Sequence, residues 1–381
     1  MLIEDPAELR RYSDVWEDLV RNAAEPNVFY EPWFVFSALK TLQLEPKPMF
    51  LLVFDGAPGG AQEAKLCGLF PLEKRKLRKT LPIPSRGLWR HPYCLLCTPL
   101  LRAGRVAETV QTFCAWILES KVGAVFADFQ LLSGTGPFAC ALEEELGRRR
   151  LPHISYSRYE RALLKNPTDL DAYFKKFFSA KKRKRYRRLA RRISEAGKFE
   201  ELELDRGGNA GRWVEWFLEL ETRGWKGREG SALLAEPSHA AFFREMSREA
   251  FCNGVLMMCG LFLDGQPIAM LCDLRSGTGA FSFKTAFDEK FSKYSPGLLV
   301  ELFNLRNLQK YPQIRWMDSC ASSHNQQINR LWVDRRPLRS VLFSRRRVPY
   351  RILFSVLFGL QKMWKLLKRS FRSRTGAEPK D

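Results

Sequence analysis

The chain carries only four histidines in 381 residues (His91, His153, His239 and His324), and none stands at metal-ligand spacing from another. Its nine cysteines do no better as ligands. Most lie in apolar runs such as Met257-Met258-Cys259 and Met270-Leu271-Cys272, and the single Cys94-x-x-Cys97 pair has no second pair to complete a zinc site. The pattern reads as buried free thiols of a reducing compartment, against disulfides as the competing reading, and Cys94-x-x-Cys97 reads as core and not as zinc. No run approaches the ~18 uncharged apolar residues that a membrane-crossing helix needs. The N-terminus, MLIEDPAELRRYSDVWEDL, is acidic and amphipathic, the wrong character for a secretion signal. Zinc-finger spacing, an aromatic RNA-binding strand signature and heptads are also missing, which removes the common nucleic-acid modules.

Acid is missing from two places. Residues 175–192 hold eleven basic residues and 345–374 hold ten, with no Asp or Glu in either, and together they equal the formal charge of +21. The remaining chain is formally neutral. This is an ordinary globular body with two local anion-seeking surfaces. At 45% hydrophobic content the length suits two or three domains.

Spacing predicts helices over 8–23, 32–42, 106–121, 138–149, 175–196, 211–223, 239–252 and 297–310, and from about His324. Strands are predicted over 49–54, 64–71, 124–131, 198–204, 254–264, 266–275, 279–288, 314–318 and 339–343. GAPGG, Asp264-Gly265 and Ser276-Gly277-Thr278-Gly279 are hairpin joins. Lys74–Lys79 reads as a basic exposed edge. The expected architecture is α/β, or α+β: a domain over 1–165, a second over 166–343 repeating its theme, and a basic amphipathic tail over 344–381.

Four stretches carry chemistry. In Asp288–Leu299, DEKFSKYSPGLL, a strand gives way to Lys290, Lys293 and a helix beginning at Pro296-Gly297. First-turn amides at such a start suit a pyrophosphate, and a plain Ser-Pro helix cap is the competing reading. ETRGWKGREGSAL places Trp225 and Lys226 between glycines on a loop. That loop either covers an acceptor or simply stops one helix and starts another. In SAKKRKRYRRLARR, Phe178, Tyr186, Leu189 and Ile193 share a face, so the helix docks and turns its cations outward, toward solvent, a phosphate-bearing substrate, tRNA or anionic lipid. Ser133-Gly134-Thr135-Gly136-Pro137-Phe138-Ala139 formally matches GxGxxA but reads as a tight strand–helix joint. Asp318 at a strand end and His324 at a helix entry are candidates for proton transfer, against structural roles for each. The tail pairs Leu353, Val356, Leu357, Leu360 and Trp364 with flanking Lys and Arg, so it either packs on the body or lies on an anionic membrane.

From Asn27-Val28-Phe29-Tyr30-Glu31-Pro32-Trp33 to about Phe343 the chain resembles the BioF2-like acetyltransferases of the GNAT superfamily. This group is often named after the cellulose-biosynthesis protein CelD and is related to the FemAB/FemX transferases. The pieces that carry the likeness are the FYEPW entry, LARRISEAGKFE, ETRGWKGREGSAL, the Gly265–Ala269 hairpin, AFDEKFSKYSPGLL and the Asp318 strand end. The resemblance implies tandem GNAT-like domains, each a splayed mixed sheet flanked by helices, the first degenerate. It implies an acyl-CoA donor, acetyl-CoA above all, lying between strands 279–287 and 314–318, with no metal. Phe287, Lys290, Lys293, Tyr294, Ser295, Pro296, Gly297 and Leu298 would meet that donor. Glu221, Trp225, Lys226, Ser231 and Lys284 would meet the acceptor, and Asp318 with His324 would move the proton. The usual Gln/Arg-x-x-Gly-x-Gly/Ala loop is reduced here to Tyr294-Ser295-Pro296-Gly297. The expected activity is acyl transfer to an amine of a sugar or cell-envelope precursor, in the cytoplasm or on the inner face of its membrane. A FemX-like aminoacyl-tRNA-dependent transferase and a non-catalytic, membrane-associated accessory of polysaccharide synthesis are the alternatives.

Overall fold

Short apolar runs alternating with amphipathic helices build, among the described residues, one mixed sheet of thirteen strands. The computed structural model describes residues 1–56, 64–78, 81–119 and 125–345, so the expected tail and most of the GAPGG turn lie outside the described residues. In chain order the first elements are β1 (Leu2–Ile3), α1 (Ser13–Arg21), α2 (Pro32–Thr41), β2 (Met49–Phe54), β3 (Leu66–Arg78), β4 (Leu81–Leu88), β5 (Leu100–Leu101) and α3 (Val106–Glu119). Then come β6 (Phe126–Ser133), α4 (Pro137–Arg148), β7 (His153–Lys165), α5 (Leu170–Phe177), α6 (Ala180–Ser194), β8 (Phe199–Glu203), α7 (Ala210–Thr222), α8 (Trp225–Arg228) and α9 (Pro237–Cys252). Last are β9 (Leu256–Leu263), β10 (Gln266–Ser276), β11 (Gly279–Phe287), α10 (Pro296–Leu308), β12 (Trp316–Asp318), α11 (Gln326–Leu331) and β13 (Asp334–Ser344).

The strands run in the order β1-β2-β3-β4-β6-β13-β7-β12-β11-β10-β9-β8, with β5 beside β3. Two joins are parallel, β4 with β6 and β11 with β12, and all the others are antiparallel. Helices α3 and α10 make the two parallel crossovers. The order is nearly a palindrome, so the internal repeat that residue identity does not reveal is visible in the topology. At its centre the two final strands trade places. β6 pairs with β13, β12 pairs with β7, and β7 lies against β13.

Three expectations are corrected in detail. Lys74–Lys79 is not a free edge, because β3 continues through Arg78 and pairs with β4, whose prolines disguise it as a loop. The helix expected over 175–196 is two helices. Phe178 turns into the core between them, and Ser179 caps α6 by accepting from the Lys182 amide. The segment around Trp225 is a one-turn helix, α8, and not an open loop. On α6 the expected face holds for Leu189 and Ile193, buried against β9, β10 and α10, while Tyr186 packs with Phe178, outside the helix, in a separate cluster. The FYEPW segment is core: Phe29 packs edge-on against Phe281 of β11 at 5.4 Å, which joins the chain's beginning to its later strands. No helix among the described residues is long and apolar enough to cross a membrane.

Candidate active site

β11 and β12 pair only over Gly279–Phe281 and Trp316–Asp318, yet β11 runs on to Phe287. β12 ends at Asp318, opposite Phe281, and beyond that point a cavity of about 390 Å³ opens between β11 and the segment that follows β12. Its walls come from β11 (Ser282 to Thr285, and Phe287), from α10 (Gly297, Glu301), from the segment after β12 (Ser319, Cys320, Ala321) and from the start of α11. Trp225 and Lys226 stand at one side, and Pro92, Tyr93 and Leu95 close another. The other parallel join is occupied by the chain itself. There the Cys97 amide donates to Leu131 O at 3.0 Å, and the Ser133 amide donates to the Thr98 hydroxyl at 2.9 Å. Cys94 and Cys97, both buried, face each other as thiols with sulfurs 3.8 Å apart.

Five sequence candidates line the cavity: Trp225, Lys226, Lys284, Phe287 and Gly297. Trp225 is the exposed one, with 44% of its surface open. Lys226 Nζ lies 2.6 Å from Glu221 Oε1, and Lys284 Nζ lies 3.6 Å from the same oxygen. Glu221 Oε2 accepts from the Leu233 amide at 2.8 Å. Burial works against charge on Glu221, but the two ammonium groups outweigh it and hold the carboxyl below its ordinary range. Burial pulls the Lys284 ammonium down, and Glu221 opposes that. Glu221, Lys226 and Lys284 therefore form a charge triad on the wall under Trp225. The glycines beside it have steric reasons: a Cβ on Gly227 would fall 1.9 Å from Thr222 O, and one on Gly224 would fall 3.1 Å from Phe287 O.

At the mouth, Gly297 opens the first turn of α10, and a Cβ there would come within 3.2 Å of the Phe287 ring. The turn offers fewer amides than the sequence suggests. Pro296 has none, and the amides of Leu298 and Leu299 both point to Ser295 O, at 3.0 and 3.1 Å. Ser295 itself is left-handed, with φ 55°. Gly297 N–H is thus the first-turn donor best placed for an anion. Lys290 and Lys293 are exposed in the 3-10 turn ahead of it, and Asp288 caps that turn by accepting from the Lys290 amide at 2.9 Å. Tyr294 and Leu298 turn away from the cavity toward α6, where Arg192 lies 5.7 Å over the Tyr294 ring.

The remaining candidates stand outside the cavity. Asp318 is wholly buried. Its Oδ2 accepts from Arg161 at 2.6 Å and Arg336 at 2.9 Å, and its Oδ1 accepts from the Cys320 amide at 2.9 Å. Burial alone would raise this carboxyl, but the two guanidinium groups carry it below its ordinary value. Such an anion is a tie between strands, and the surroundings of Asp318 do not fit a proton acceptor. His324 is exposed on the approach to α11, and its amide donates to Ser322 at 3.2 Å. Ser231 is exposed and its hydroxyl reaches only Lys226 O, at 3.4 Å. Gly134 and Gly136 serve the tight joint read from the sequence, since Pro337 and Glu25 occupy the space that side chains there would need.

Sequence reasoning missed Glu301. It stands one helical turn beyond Gly297, on the same face. A lone acid inside PGLLVELFNL was the available signal. It also missed Tyr93 and the start of α11, which reach the cavity only through the fold.

Residues 180–322 match the family model of the acetyltransferase (GNAT) domain. No curated protein matches the sequence significantly. Among solved structures the chain is similar to FemX, at 9% identity over 93% of this chain and all of that one, with a TM-score of 0.56. It is also similar to a conserved protein of unknown function from Bacteroides thetaiotaomicron (10% identity, 88% and 97% of the two chains, TM-score 0.54). A third is the C-terminal DUF2156 domain of a putative lysylphosphatidylglycerol synthetase from Agrobacterium fabrum (12% identity, 91% and 96%, TM-score 0.52). At these identities the likeness is one of fold: mixed α/β, with two GNAT-like units sharing a sheet.

Proposed function

We propose that this chain is an N-acyltransferase that holds an acyl-CoA thioester in the cavity between β11 and the segment that follows β12. It would pass the acyl group to an amine of a sugar or cell-envelope precursor. The observation that carries this reading is the cavity where a parallel strand pairing ends beside a glycine helix start, inside the segment that matches the GNAT model. The residues fit such a donor. Beyond Phe281, β11 has an edge with no β12 partner, which suits an extended ligand bearing amides. Gly297 leaves room for a phosphate at its N–H, and Lys290 and Lys293 add positive charge nearby. The donor supplies an activated carbonyl, and the protein supplies position and a polar wall. The flat exposed face of Trp225 and the ammonium groups of Lys226 and Lys284 suit a hydroxyl-rich, partly anionic acceptor. The resemblance to BioF2-like and CelD proteins supports a precursor of exopolysaccharide as that acceptor.

A second reading, with aminoacyl-tRNA as donor, draws support from the cationic outer face of α6 and from the likeness to the FemX fold. Calorimetry separates the two. Acetyl-CoA and CoA should bind the purified protein, and Gly297→Asp, which sets a carboxylate at the mouth, should weaken binding about ten-fold or more. Absence of CoA binding to the folded protein, with strongly salt-dependent binding of tRNA, would replace the first reading with the second.

A further inference from the structure

Two carboxyl groups beneath the cavity are buried with incomplete hydrogen bonding. Glu301, on α10, lines the cavity with only 5% of its surface exposed, and its Oε2 is buried without a hydrogen bond. Asp273, on β10, is 1% exposed. Its Oδ2 accepts from Asn304 Nδ2 at 2.7 Å, and its Oδ1 is buried without a hydrogen bond. The cavity's cations do not serve these acids, since Lys226 and Lys284 both turn to Glu221. The site is divided: a closed charge triad on one wall, and on the other a carboxyl pair in which Asp273 has Asn304 and Ser282 beside it and Glu301 keeps an oxygen without a hydrogen bond. Burial raises both acids. It raises Asp273 to about 7, and the like charge of Asp273 raises Glu301 further. The other titratable groups near the pair are Cys259 of β9, Cys272 of β10 and Cys320 after β12. Burial pushes the three thiols up, so they stay protonated.

Leaving buried carboxyl oxygens unpaired costs stability, and a leucine at 301 would avoid that cost. The cost is intelligible if the oxygens meet something that arrives. We propose that Glu301 is the catalytic base of acyl transfer and that Asp273, held by Asn304 one turn along α10 from Glu301, is the residue that positions it. This rests on the reading of the cavity as an acyl-transfer site. The acceptor nitrogen bonds to the thioester carbon while the Glu301 carboxylate takes a proton from that nitrogen. As the carbon–sulfur bond breaks, the pair returns the proton to the departing sulfur and ends as it began.

The test uses the full chain and Glu301→Gln, which keeps the shape and removes the base. CoA binding by calorimetry should be unchanged in the variant. Release of CoA from acetyl-CoA, to glucosamine or to water, should fall about 100-fold or more, and the acid limb of its pH profile should disappear. Carbon-13 NMR of glutamate- and aspartate-labelled protein should show a glutamate carboxyl, besides that of Glu31, titrating above the ordinary range. That signal should be lost in Glu301→Gln, and Asp273→Asn should move it to lower pH. CoA binding with equal release rates in wild type and Glu301→Gln, or with no release from wild type, would overturn the assignment of Glu301 alone. Absence of CoA binding would overturn the acyl-transfer reading and this assignment together. A more stable Glu301→Gln protein with an unaltered pH profile would mark the carboxyl as packing only.

Discussion

At the scale of single residues, the fold keeps acids where hydrophobic packing alone would not put them, and each case differs in what offsets the cost. Asp318 is held charged by two arginines. Glu31, in the FYEPW segment, has only neutral donors: the Trp33 indole at 2.8 Å and the Ser276 hydroxyl. Burial raises it from 4.5 to about 7. With the folded value above the unfolded one, the stabilisation is complete below about pH 4.5 and is lost as pH rises through 7. Thermal melts should therefore show stability declining between pH 5 and 8. Glu31→Gln should remove part of that slope, about 1–3 kcal/mol at the alkaline end. Asp273 shifts in the same sense and leaves a residual slope. A slope unchanged by the substitution would show that Glu31 does not titrate in this window.

At the scale of elements, α7 and α8 form the side of the cavity through a contact that only glycine allows. Gly227→Ala should force α8 away from the Thr222 carbonyl, at about 1–3 kcal/mol, and loosen the Lys226–Glu221 pair. Gly147→Ala, in α4 with no atom near the added carbon, should match or exceed wild-type stability in the same denaturant titration. Equal losses in the two variants would refute the steric account. Legibility in the sequence divides along similar lines. Long periodic elements such as α9, β10 and α10 were readable because their apolar spacing is local. The Tyr294–Gly297 helix start was readable because Ser-Pro-Gly is itself the physical device. The break at Ser179 was hidden by a run of good helix formers, and β4 by its prolines. Tyr93 could not be read as a cavity residue, because nearly two hundred residues separate it from the strand it faces. The role expected of Asp318 came from its place at a strand end, and sequence gives no hint that Arg161 and Arg336 would close on it.

At the scale of the whole molecule, Asp318 of β12 ties β7 through Arg161 and β13 through Arg336. Arg336 also lies 4.3 Å over the Trp316 ring. Asp318→Ala would leave two buried guanidinium groups unopposed and should cost about 3–5 kcal/mol. Because the exchanged strands belong to both halves, unfolding followed by tryptophan fluorescence and by circular dichroism should stay a single coincident transition, in wild type and variant alike. Two separated transitions would mean that the halves melt independently despite the exchange.

The exchange of β7 and β13 also bears on synthesis. On the ribosome, β6 emerges about two hundred residues ahead of β13, the strand that will cover its edge. β7 must wait about 150 residues for β12 and about 170 for β13. The nascent protein therefore carries open strand edges through most of its translation, a form prone to pair with other chains. Its yield in a cell depends on what shields those edges until the last strand arrives.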